Sequence, residues 1–389
     1  MIVGVPSETF PGEQRVALVP SDVALLSKLG LKVQIEAGAG VAAGFPDAQY
    51  VERGATVAAS REALFASADM LFQVRAAGAA HGKGANDPRL LRRGQLVMGF
   101  FDPFWQAQYI AKLAEQGVNA LALELVPRIS RAQSMDALSS MATIVGYKAT
   151  LLAAMELPRI FPMLMTAAGT VTPARVFVIG AGVAGLQACA QAKRMGARVE
   201  AYDVRAAVKD QVESVGAKFV ELPLETGNSE DKGGYAKAQD EDFYRRQRQL
   251  MSEVVARNDV VITTAAIPGK RSPVLITREM VQGMQPGSVI VDLAAEHGGN
   301  CEITRADEVV HEYGVKILGP TNLAATVPNH ASQLYSRNLV NIVRLAVKDG
   351  QLNLITDDEI VREALVAHAG EVCNARVREL LGAGSATAP

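Results

Sequence analysis

The stretch that constrains this chain most runs from residue 175 to residue 203. A short apolar run at residues 176–179 leads directly into Gly180, Gly182 and Gly185 in G-x-G-x-x-G spacing, and a helix-forming segment follows. In such a turn the first glycine permits a tight bend, and the second lets the backbone approach a pyrophosphate. The third glycine lets helix and strand pack closely. The order of these signals predicts a βαβ unit that binds a dinucleotide, with phosphate on the unpaired N–H groups at the helix start.

An acidic residue ends the second apolar run of this unit. Asp203 lies 18 residues after Gly185, where it would accept hydrogen bonds from an adenosine ribose, with Val204 and Arg205 beside it. A carboxylate at this point would repel a 2′-phosphate, which predicts a preference for NAD over NADP. Accommodation of that phosphate by Arg205 is the alternative, and the residues leave it open.

Length, composition and charge place the chain among ordinary globular proteins. Its 389 residues predict two or three domains, and 49% hydrophobic with 21% charged residues is typical of soluble proteins. A net charge of -2 gives no electrostatic reason to expect nucleic acid. Cys189, Cys301 and Cys373 share no metal-ligand spacing, so no metal site is predicted, and a reducing, cytoplasmic compartment fits best. The first six residues do not resemble a signal peptide.

Short apolar runs alternate with helical patterns along the chain. The predicted strands cover residues 2–5, 33–35, 70–74, 96–100, 120–123, 176–179, 218–220, 259–264, 288–292 and 315–318. Such alternation favours an α/β fold. We expect two Rossmann-like, doubly wound domains with mostly parallel sheets and a cleft between them. The first is discontinuous, residues 1–138 plus 328–389, and the NAD-binding domain is residues 139–327.

A second glycine cluster follows an earlier predicted strand. Gly38, Gly40 and Gly44 have G-x-G-x-x-x-G spacing, but Pro46 comes too soon for a helix that could hold a phosphate. This cluster is therefore predicted to be a packing turn.

Two polar stretches leave alternatives open. Residues 128–136 precede a long apolar helix, predicted to be buried over residues 137–156, and form either a capped helix entry or a hydrogen-bonding cluster for an amide or ribose. Residues 223–239 form a polar loop in which Tyr235 is the one large side chain; it is either an aromatic lid or a surface insertion.

The turn at residues 263–269 follows a strand at the carboxyl edge, where ligands bind in doubly wound sheets.

No histidine is a convincing general base, although an alcohol or amine dehydrogenase needs one near its substrate. His81 lies in a Gly/Ala-rich loop, and His311 and His368 lie in patterns typical of surface helices. His297 follows a predicted strand and lies nearest a plausible site. The sequence thus predicts a nicotinamide site without proton-transfer machinery.

Several motifs resemble two related families. Residues 13–20 (EQRVALVP), 36–40 (EAGAG) and 180–185 (GAGVAG) resemble both alanine dehydrogenases and the NAD-binding subunit of proton-translocating nicotinamide nucleotide transhydrogenase. Three stretches resemble the second family more closely: residues 128–136 (RISRAQSMD), residues 233–237 (GGYAK), and residues 263–270 with 291–302. The resemblance covers nearly the whole chain.

The chain departs from alanine dehydrogenases at the positions that carry their chemistry. Arg75 stands where that family has a substrate-binding lysine, residues 100–103 (FFDP) replace its catalytic histidine, and Glu296 replaces its catalytic aspartate. Without the histidine, amino-acid oxidation lacks a base.

The resemblance to the transhydrogenase subunit implies a cofactor, partners and a site. NAD(H) would bind this chain and NADP(H) a partner subunit, and hydride would pass directly between them. A homodimer is implied, with an NADP-binding domain and membrane-spanning subunits as partners; the chain would lie peripherally on the inner face of the cytoplasmic membrane. Catalytic roles are implied for Arg128, Gln133, Asp136 and Ser139. The implied cofactor-binding residues are Arg128, Ile129, Ser130, Arg131, Gln133, Ser134, Met135, Asp136, Ser139, Gly180, Gly182, Val183, Gly185, Asp203, Val204, Arg205, Gly234, Tyr235, Thr264, Ala265 and Ala266.

Two other functions remain possible on these residues. One is an alanine-dehydrogenase-like, NAD-dependent amino-acid oxidoreductase that works alone. The other is a nucleotide-binding module that catalyses no reaction.

Overall fold

A computed structural model describes residues 1–76, 87–224, 240–348, 350–354 and 357–385. The chain forms two compact units, Met1–Met141 with Ala324–Pro389, and Ala142–Leu323. The boundaries predicted from the sequence fall after residues 138 and 327.

The secondary structure alternates as the sequence predicts. The strands are β1 (Ile2–Val5), β2 (Lys32–Glu36), β3 (Thr56–Ala58), β4 (Met70–Arg75), β5 (Leu96–Phe100), β6 (Asn119–Ala122), β7 (Leu164–Thr166), β8 (Gly169–Val171), β9 (Arg175–Ile179), β10 (Arg198–Tyr202), β11 (Lys218–Phe219), β12 (Val260–Thr263), β13 (Val289–Asp292), β14 (Val309–Glu312), β15 (Val315–Leu318), β16 (Val347–Lys348), β17 (Gln351–Leu352), β18 (Leu365–His368) and β19 (Glu371–Val372). The α-helices are α1 (Pro20–Ser27), α2 (Asp47–Glu52), α3 (Arg61–Ser67), α4 (Ala107–Glu115), α5 (Ala137–Glu156), α6 (Val183–Arg194), α7 (Lys209–Ser214), α8 (Glu241–Ala256), α9 (Arg278–Gln282), α10 (Pro328–Ala346), α11 (Glu359–Ala364) and α12 (Ala375–Ser385). Short 3-10 helices cover Val41–Ala43, Leu123–Leu125, Ser130–Met135, Ala206–Val208, Ala295–His297 and Leu323–Thr326.

The first unit contains an eight-stranded sheet in the order β19-β18-β6-β5-β4-β1-β2-β3. Strands β1 to β6 are parallel, and their side chains are mostly buried because helices cover a parallel sheet on both faces. The antiparallel strands β18 and β19 come from the C-terminal segment and are absent from the sequence prediction. The prediction that His368 lies on a surface helix is wrong: it ends β18, and its Nδ1 lies 2.8 Å from Asn119 Oδ1.

The second unit contains a seven-stranded sheet in the order β11-β10-β9-β12-β13-β15-β14. All its pairs are parallel except the one between β14 and β15. The α/β fold with mostly parallel sheets is confirmed. The sequence does not predict strand β14, and His311 lies in it rather than on a helix. Because the strand order reverses beside β9, the turn after β9 lies at a topological switch point, where ligands bind in such sheets.

Helix α5 differs from its prediction as a buried helix. It is the one helix in the described ranges that is long and apolar enough, by composition alone, to span a membrane, yet only 28% of its most apolar window is buried. Its buried face consists of small residues that pack closely on α6: Gly146 lies against the Ala184 carbonyl, and Thr150 Oγ1 donates to Ala188 O at 3.2 Å. On other faces Tyr147 and Met155 are exposed. The small side chains on one side of α5 allow a close approach to α6. The other sides of the helix are less buried.

Candidate functional site

The three glycines of the turn after β9 differ in what surrounds them. Gly180 has φ 96°, and a Cβ there would lie 2.5 Å from Thr264 Oγ1. A Cβ on Gly185 would collide with the Gly180 carbonyl oxygen, so α6 can pack on β9 only without it. A Cβ on Gly182 would meet no atom of the described residues within 4 Å. Two glycines are thus required by the protein's own packing, and the middle one leaves open space where a ligand backbone or phosphate can approach.

The start of α6 fits an anion. The N-cap residue Gly182 is extended, with φ -75° and ψ -170°, and no side chain in the described part of the chain caps the helix. The first N–H groups of a helix have no partner within it and carry partial positive charge. A twelve-residue helix that begins beside an open glycine turn is therefore suited to hold a pyrophosphate.

Asp203 lies buried just after β10, at the same edge of the sheet. Its Oδ2 accepts hydrogen bonds from Ala181 N at 2.7 Å and Arg205 Nη2 at 2.8 Å. Its Oδ1 accepts from the backbone N and the Nε of Arg205, both at 2.9 Å. A carboxylate offers about four acceptor positions, so these four donors use its capacity. A ribose hydroxyl can bond to Asp203 only if the Arg205 side chain releases it.

The turn after β12 lies against the glycine turn. Thr264 Oγ1 donates to Gly180 O at 2.9 Å, which joins the two turns. Ala265 N donates to Asn300 Oδ1 at 3.0 Å, and Asn300 Nδ2 donates back to Ala265 O at 2.8 Å. Ala266 is exposed. Of the three predicted residues here, two are thus held in place and the third faces outward.

A buried polar network that the sequence alone does not reveal supports this edge. Asp292, the last residue of β13, is fully buried and accepts from Thr263 Oγ1, Asn300 N and Thr304 Oγ1 at 2.9, 2.7 and 2.7 Å. The backbone N–H groups of Ala294 and Cys301 also donate to it. Asp292 fixes Asn300, and Asn300 fixes the turn at Ala265. An acid at the end of a parallel strand, as at Asp203, is the signal that could have identified it.

The segment 128–136 of the first unit shows the features of a helix entry. It forms the 3-10 helix Ser130–Met135, and α5 begins at Ala137, where the sequence predicts the start of the long helix. Asp136 caps α5: its Oδ1 accepts from Ser139 N at 2.8 Å, and its Oδ2 accepts from Ser139 Oγ at 2.6 Å. These contacts are those of a capped helix entry, one of the two alternatives that the sequence leaves open for this segment.

The same segment is anchored on both sides. Ala132 and Met135 are buried, and Ser134 O accepts from Asn338 Nδ2 and Asn341 Nδ2 at 2.9 and 3.0 Å. Between these anchors Gln133 is exposed.

The segment contains two exposed arginines, Arg128 and Arg131. Arg131 forms a two-pronged ion pair with Asp358, with N–O distances of 2.7 and 3.1 Å. Arg128 is exposed. Arg131 therefore contributes to anchoring the segment in this structure.

The predicted residues fall into two groups, one in each unit. The first unit brings together Arg128, Ile129, Ser130, Arg131, Gln133, Ser134, Met135, Asp136 and Ser139. The second brings together Gly180, Gly182, Val183, Gly185, Asp203, Val204, Arg205, Thr264, Ala265 and Ala266 at one sheet edge. Gly234 and Tyr235, like His81, lie outside the described residues.

Of the positions that differ from alanine dehydrogenases, residues 100–103 contain no histidine. Phe101 is fully buried, and the Arg75 guanidinium lies 4.7 Å from the centre of the Phe10 ring. Glu296 and His297 lie in the 3-10 helix Ala295–His297. The first unit does contain partly buried carboxyl groups: desolvation raises the pKa of Glu124 to about 7, and desolvation with the nearby Glu13 charge raises the pKa of Glu8 to about 8.

Family comparisons agree with this geometry. Residues 4–145 match the N-terminal domain, and residues 149–375 the C-terminal domain, of the family described as "Alanine dehydrogenase/PNT". The chain is 44% identical over 375 residues to an NAD(P) transhydrogenase alpha subunit of Rhodospirillum rubrum, covering 96% of this chain and 97% of that protein. It is 29% identical to alanine dehydrogenase of Mycobacterium tuberculosis, covering 98% and 97%.

Solved structures give the same ranking. A transhydrogenase from Sinorhizobium meliloti superposes with a TM-score of 0.85 at 43% identity, covering 96% of this chain and 100% of that one. An L-alanine dehydrogenase superposes with a TM-score of 0.81 at 26% identity, covering 98% and 99%. The chain therefore belongs to the alanine dehydrogenase/PNT family, among its NAD(P) transhydrogenase alpha subunits.

Proposed function

We propose that this chain is the NAD(H)-binding subunit of a proton-translocating transhydrogenase. In this proposal hydride passes directly between NADH on this chain and NADP⁺ on a partner domain, and separate membrane subunits couple the transfer to proton movement. The observation that carries the proposal is the anchored segment 128–136, which presents Gln133 to solvent between buried Ala132 and Met135. Higher identity to transhydrogenase alpha subunits than to alanine dehydrogenases supports the same conclusion.

The second unit is assigned to the adenosine and pyrophosphate parts of the nucleotide. The open side of Gly182 and the uncapped start of α6 would hold the pyrophosphate, with Val183 beside it. Asp203 would accept from the adenosine ribose once Arg205 moves, and its negative charge would disfavour a 2′-phosphate. These contacts would hold the nucleotide without taking part in chemistry.

The first unit is assigned to the nicotinamide end. Arg128, Asp136 and Ser139 would orient the carboxamide and the adjoining ribose, while Gln133 would contact the partner's nucleotide. The bound nicotinamide itself supplies the hydride. The chain contributes orientation and exclusion of water, which supply catalytic advantage by fixing the reacting groups in contact. A direct hydride transfer needs no side-chain base, in agreement with the buried Phe101.

Assembly belongs to the same proposal. We propose a homodimer bound peripherally, through membrane-spanning partners, at the inner face of the cytoplasmic membrane. Support comes from exposed apolar side chains on and near the β7–β8 hairpin: Met163, Leu164, Met165 and Val171 are 55%, 45%, 76% and 46% exposed. Contiguous exposed apolar residues of this kind mark protein interfaces.

Reconstitution tests the proposed activity. The purified chain, mixed with a candidate NADP-binding partner, is expected to catalyse reduction of an NAD analogue by NADPH. The competing alanine-dehydrogenase-like activity predicts turnover by the chain alone with NAD and an amino acid, so a panel of amino acids is assayed in parallel. Turnover without any partner would refute the transhydrogenase proposal, and binding without turnover in the full complex would favour a module that only binds nucleotide.

Gln133→Asn tests the role of that side chain. Shortening it by one methylene should slow hydride transfer in the reconstituted complex and leave NADH affinity nearly unchanged, because the proposed contact is with the partner's nucleotide. A large loss of NADH affinity would contradict this role.

The Asp203 assignment is tested by fluorescence titration of the wild type, in which NADH should bind much more tightly than NADPH.

A further inference from the structure

A strongly basic groove lies at the amino edge of the sheet in the second unit. Arg175 and Arg198 begin the parallel strands β9 and β10, Lys218 begins β11, and Arg257 shortly precedes β12. The glycine turn follows β9, so the groove is at the opposite end of the same strands. Its location separates it from the proposed NAD site.

The groove is concave and has an excess of positive charge. It consists of two adjoining cavities of about 350 and 340 Å³, which share Arg175, Arg198 and Arg257. The charged residues that line them are Arg159, Arg175, Lys193, Arg198, Lys218 and Arg257, with the acids Glu200 and Asp259. Six cations against two carboxylates leave an excess of four positive charges. A cleft lined by one sign of charge concentrates oppositely charged ligands.

The two carboxylates neutralise only part of this charge. Arg257 pairs with Glu200 at 2.7 Å, and Arg159 pairs with Asp259 at 2.8 Å. Lys218 Nζ is 3.9 Å from Glu200, at the limit of an ion pair.

Three cationic side chains remain available. Within the ranges that the structure describes, Arg175, Lys193 and Arg198 form no side-chain hydrogen bond or ion pair, and all three are exposed. Like charges held together without counterions repel one another, so an anion in the groove would relieve that repulsion.

One uncharged side chain in the groove, that of Asn258, has an acceptor atom to which no described residue donates. Asn258 lines the first cavity and is 2% exposed. Its Nδ2 donates to Val254 O at 2.7 Å, but its buried Oδ1 accepts from no described residue. Buried polar atoms are nearly always hydrogen-bonded, so a ligand that carries a hydroxyl or amine as well as negative charge would satisfy this acceptor once the Asn258 side chain turns towards the cavity.

We propose that this groove binds a soluble ligand with two linked phosphate groups and a hydroxyl or amine donor, the chemistry of a nucleoside diphosphate. Arginine binds phosphate through two parallel hydrogen bonds, and two arginines whose side chains pair with no described residue, Arg175 and Arg198, lie where the two cavities join. Lys193 lines the first cavity beside Asn258. The recessed shape and the buried acceptor favour a small soluble molecule over the flat surface of a membrane, since lipid phosphates would reach the outer cations but not Asn258.

Calorimetric titration with ADP tests the proposal. The full chain is first saturated with NADH, so that the site at the glycine turn is occupied. One further ADP molecule should then bind per chain. Arg175→Gln combined with Arg198→Gln should weaken ADP binding by about thirtyfold or more, since one charge-assisted hydrogen-bonded contact corresponds to about a tenfold effect. NADH affinity should not change, which also shows that the variant is folded.

Neighbouring residues of equal charge provide a matched control. Lys193 lines the groove, whereas Arg194 is also exposed and does not. Lys193→Gln should weaken ADP binding several-fold, and Arg194→Gln should leave it unchanged. Equal effects of the two changes, or no ADP binding by the NADH-saturated wild type, would overturn the proposal.

Two further probes test what the ligand must carry. Inorganic pyrophosphate, which lacks the adenosine hydroxyls and amine, should bind the same site more weakly than ADP. Vesicles of phosphatidylglycerol should not bind through the groove. Sedimentation with such vesicles that Lys193→Gln abolishes, without ADP binding, would assign the groove to a membrane surface and contradict the proposal.

Discussion

The two units each place a glycine cluster after a parallel strand, yet the two turns differ in what surrounds them. In the second unit, Gly182 faces open space at the start of a twelve-residue helix. In the first unit, the glycines at 38–44 lead only into the 3-10 helix Val41–Ala43, and a Cβ on Gly40 would lie 2.5 Å from Phe45 O. Both oxygens of Asp47 accept from Gly38 N at 3.0 Å. The packing turn expected in the first unit is thus filled by the chain's own groups.

The difference shows that glycine spacing alone does not define a nucleotide site. A backbone N–H can bind phosphate only if no side chain of the protein already bonds to it, and a helix must follow closely enough to add its first turn. In the first unit Asp47 accepts from the Gly38 donor, and the α-helix that follows, α2, begins only at Asp47, after Pro46, and is six residues long.

The largest effect on NADH affinity is expected when a methyl group is added to a glycine of the turn after β9. The same change in the glycine turn of the first unit serves as the comparison. Gly185→Ala would push its Cβ into the Gly180 carbonyl and move α6 away from β9, so NADH affinity should fall by about a hundredfold or more. Gly40→Ala also creates a clash, against Phe45 O and Tyr50, and should destabilise the protein by about 1–3 kcal/mol. Its NADH affinity should nevertheless stay within about threefold of wild type.

Thermal unfolding and NADH titration of both variants check this contrast. If the folded Gly40→Ala protein lost NADH binding, the first turn would have to contribute to the cofactor site. If Gly185→Ala bound NADH normally, the glycine turn after β9 would not be that site.

A smaller and more selective effect is expected at Gly182. Its backbone conformation is open to any residue, and a Cβ there would contact nothing, so Gly182→Ala should leave the melting temperature unchanged. The same methyl group would occupy the space proposed for the pyrophosphate, and NADH affinity should fall about tenfold or more. A loss of stability with unchanged affinity would reverse this interpretation.

The acids that follow strands in the two units extend the comparison to pH. Asp203 is surrounded by donors, whereas Glu124, after β6, accepts from Asp102 N at 2.7 Å and has a buried Oε2 with no described donor. Burial raises the pKa of Glu124 to about 7, above the value of about 4.3 for an unfolded chain. Between these values the folded state binds the proton and the unfolded state has released it. The free energy of unfolding therefore falls as pH rises through this window, and the stabilisation is lost above about pH 7.

Glu124→Gln should reduce that slope. The variant should match wild type near pH 4 and be more stable by about 3–4 kcal/mol at pH 8.5, since one pKa unit corresponds to about 1.4 kcal/mol. Urea unfolding at several pH values measures this, with the exposed Glu115→Gln as a control that should keep the wild-type slope. An unchanged slope in Glu124→Gln would mean that Glu124 is already ionised in the folded protein near neutral pH.

The smallest expected change concerns Arg205. Because its side chain donates twice to Asp203, Arg205→Gln should free acceptor positions for a ribose and tighten NADH binding by about two- to fivefold. Parallel titration with NADPH decides the alternative that the sequence leaves open. If NADPH binding is detectable in wild type and disappears in the variant, Arg205 holds a 2′-phosphate.

The fold of the second unit can be predicted well from the sequence because its strands are continuous apolar runs. Residues 176–179 and 315–318 match β9 and β15 closely. Strand β14 escapes prediction because its sequence, VVHE, is mostly exposed and lies at a sheet edge, where apolar patterning is weak. Strands β18 and β19 escape it because they are short, and because β18 pairs with β6, a segment distant along the chain.

The candidate site can be predicted less completely. The glycine turn has a local motif, so Gly180, Gly182 and Gly185 can be identified from spacing alone. The role of Asn300 depends on hydrogen bonds to Ala265 and Asp292, which the fold brings together over 35 and 8 residues. The saturation of Asp203 by Arg205 depends on a side-chain conformation, which spacing does not specify. Such contacts follow from tertiary structure only.

The discontinuity of the first unit has a consequence for the order in which the chain folds. Strand β6 receives its antiparallel neighbour from Leu365–His368, more than 240 residues later, and α10 contributes Asn338 to the anchor of Ser134. During synthesis the second unit, Ala142–Leu323, is complete while these pieces are still missing. We therefore expect the second unit to fold first during synthesis. Until the C-terminal segment is made, the sheet of the first unit has an unpaired edge at β6, and such an edge favours aggregation.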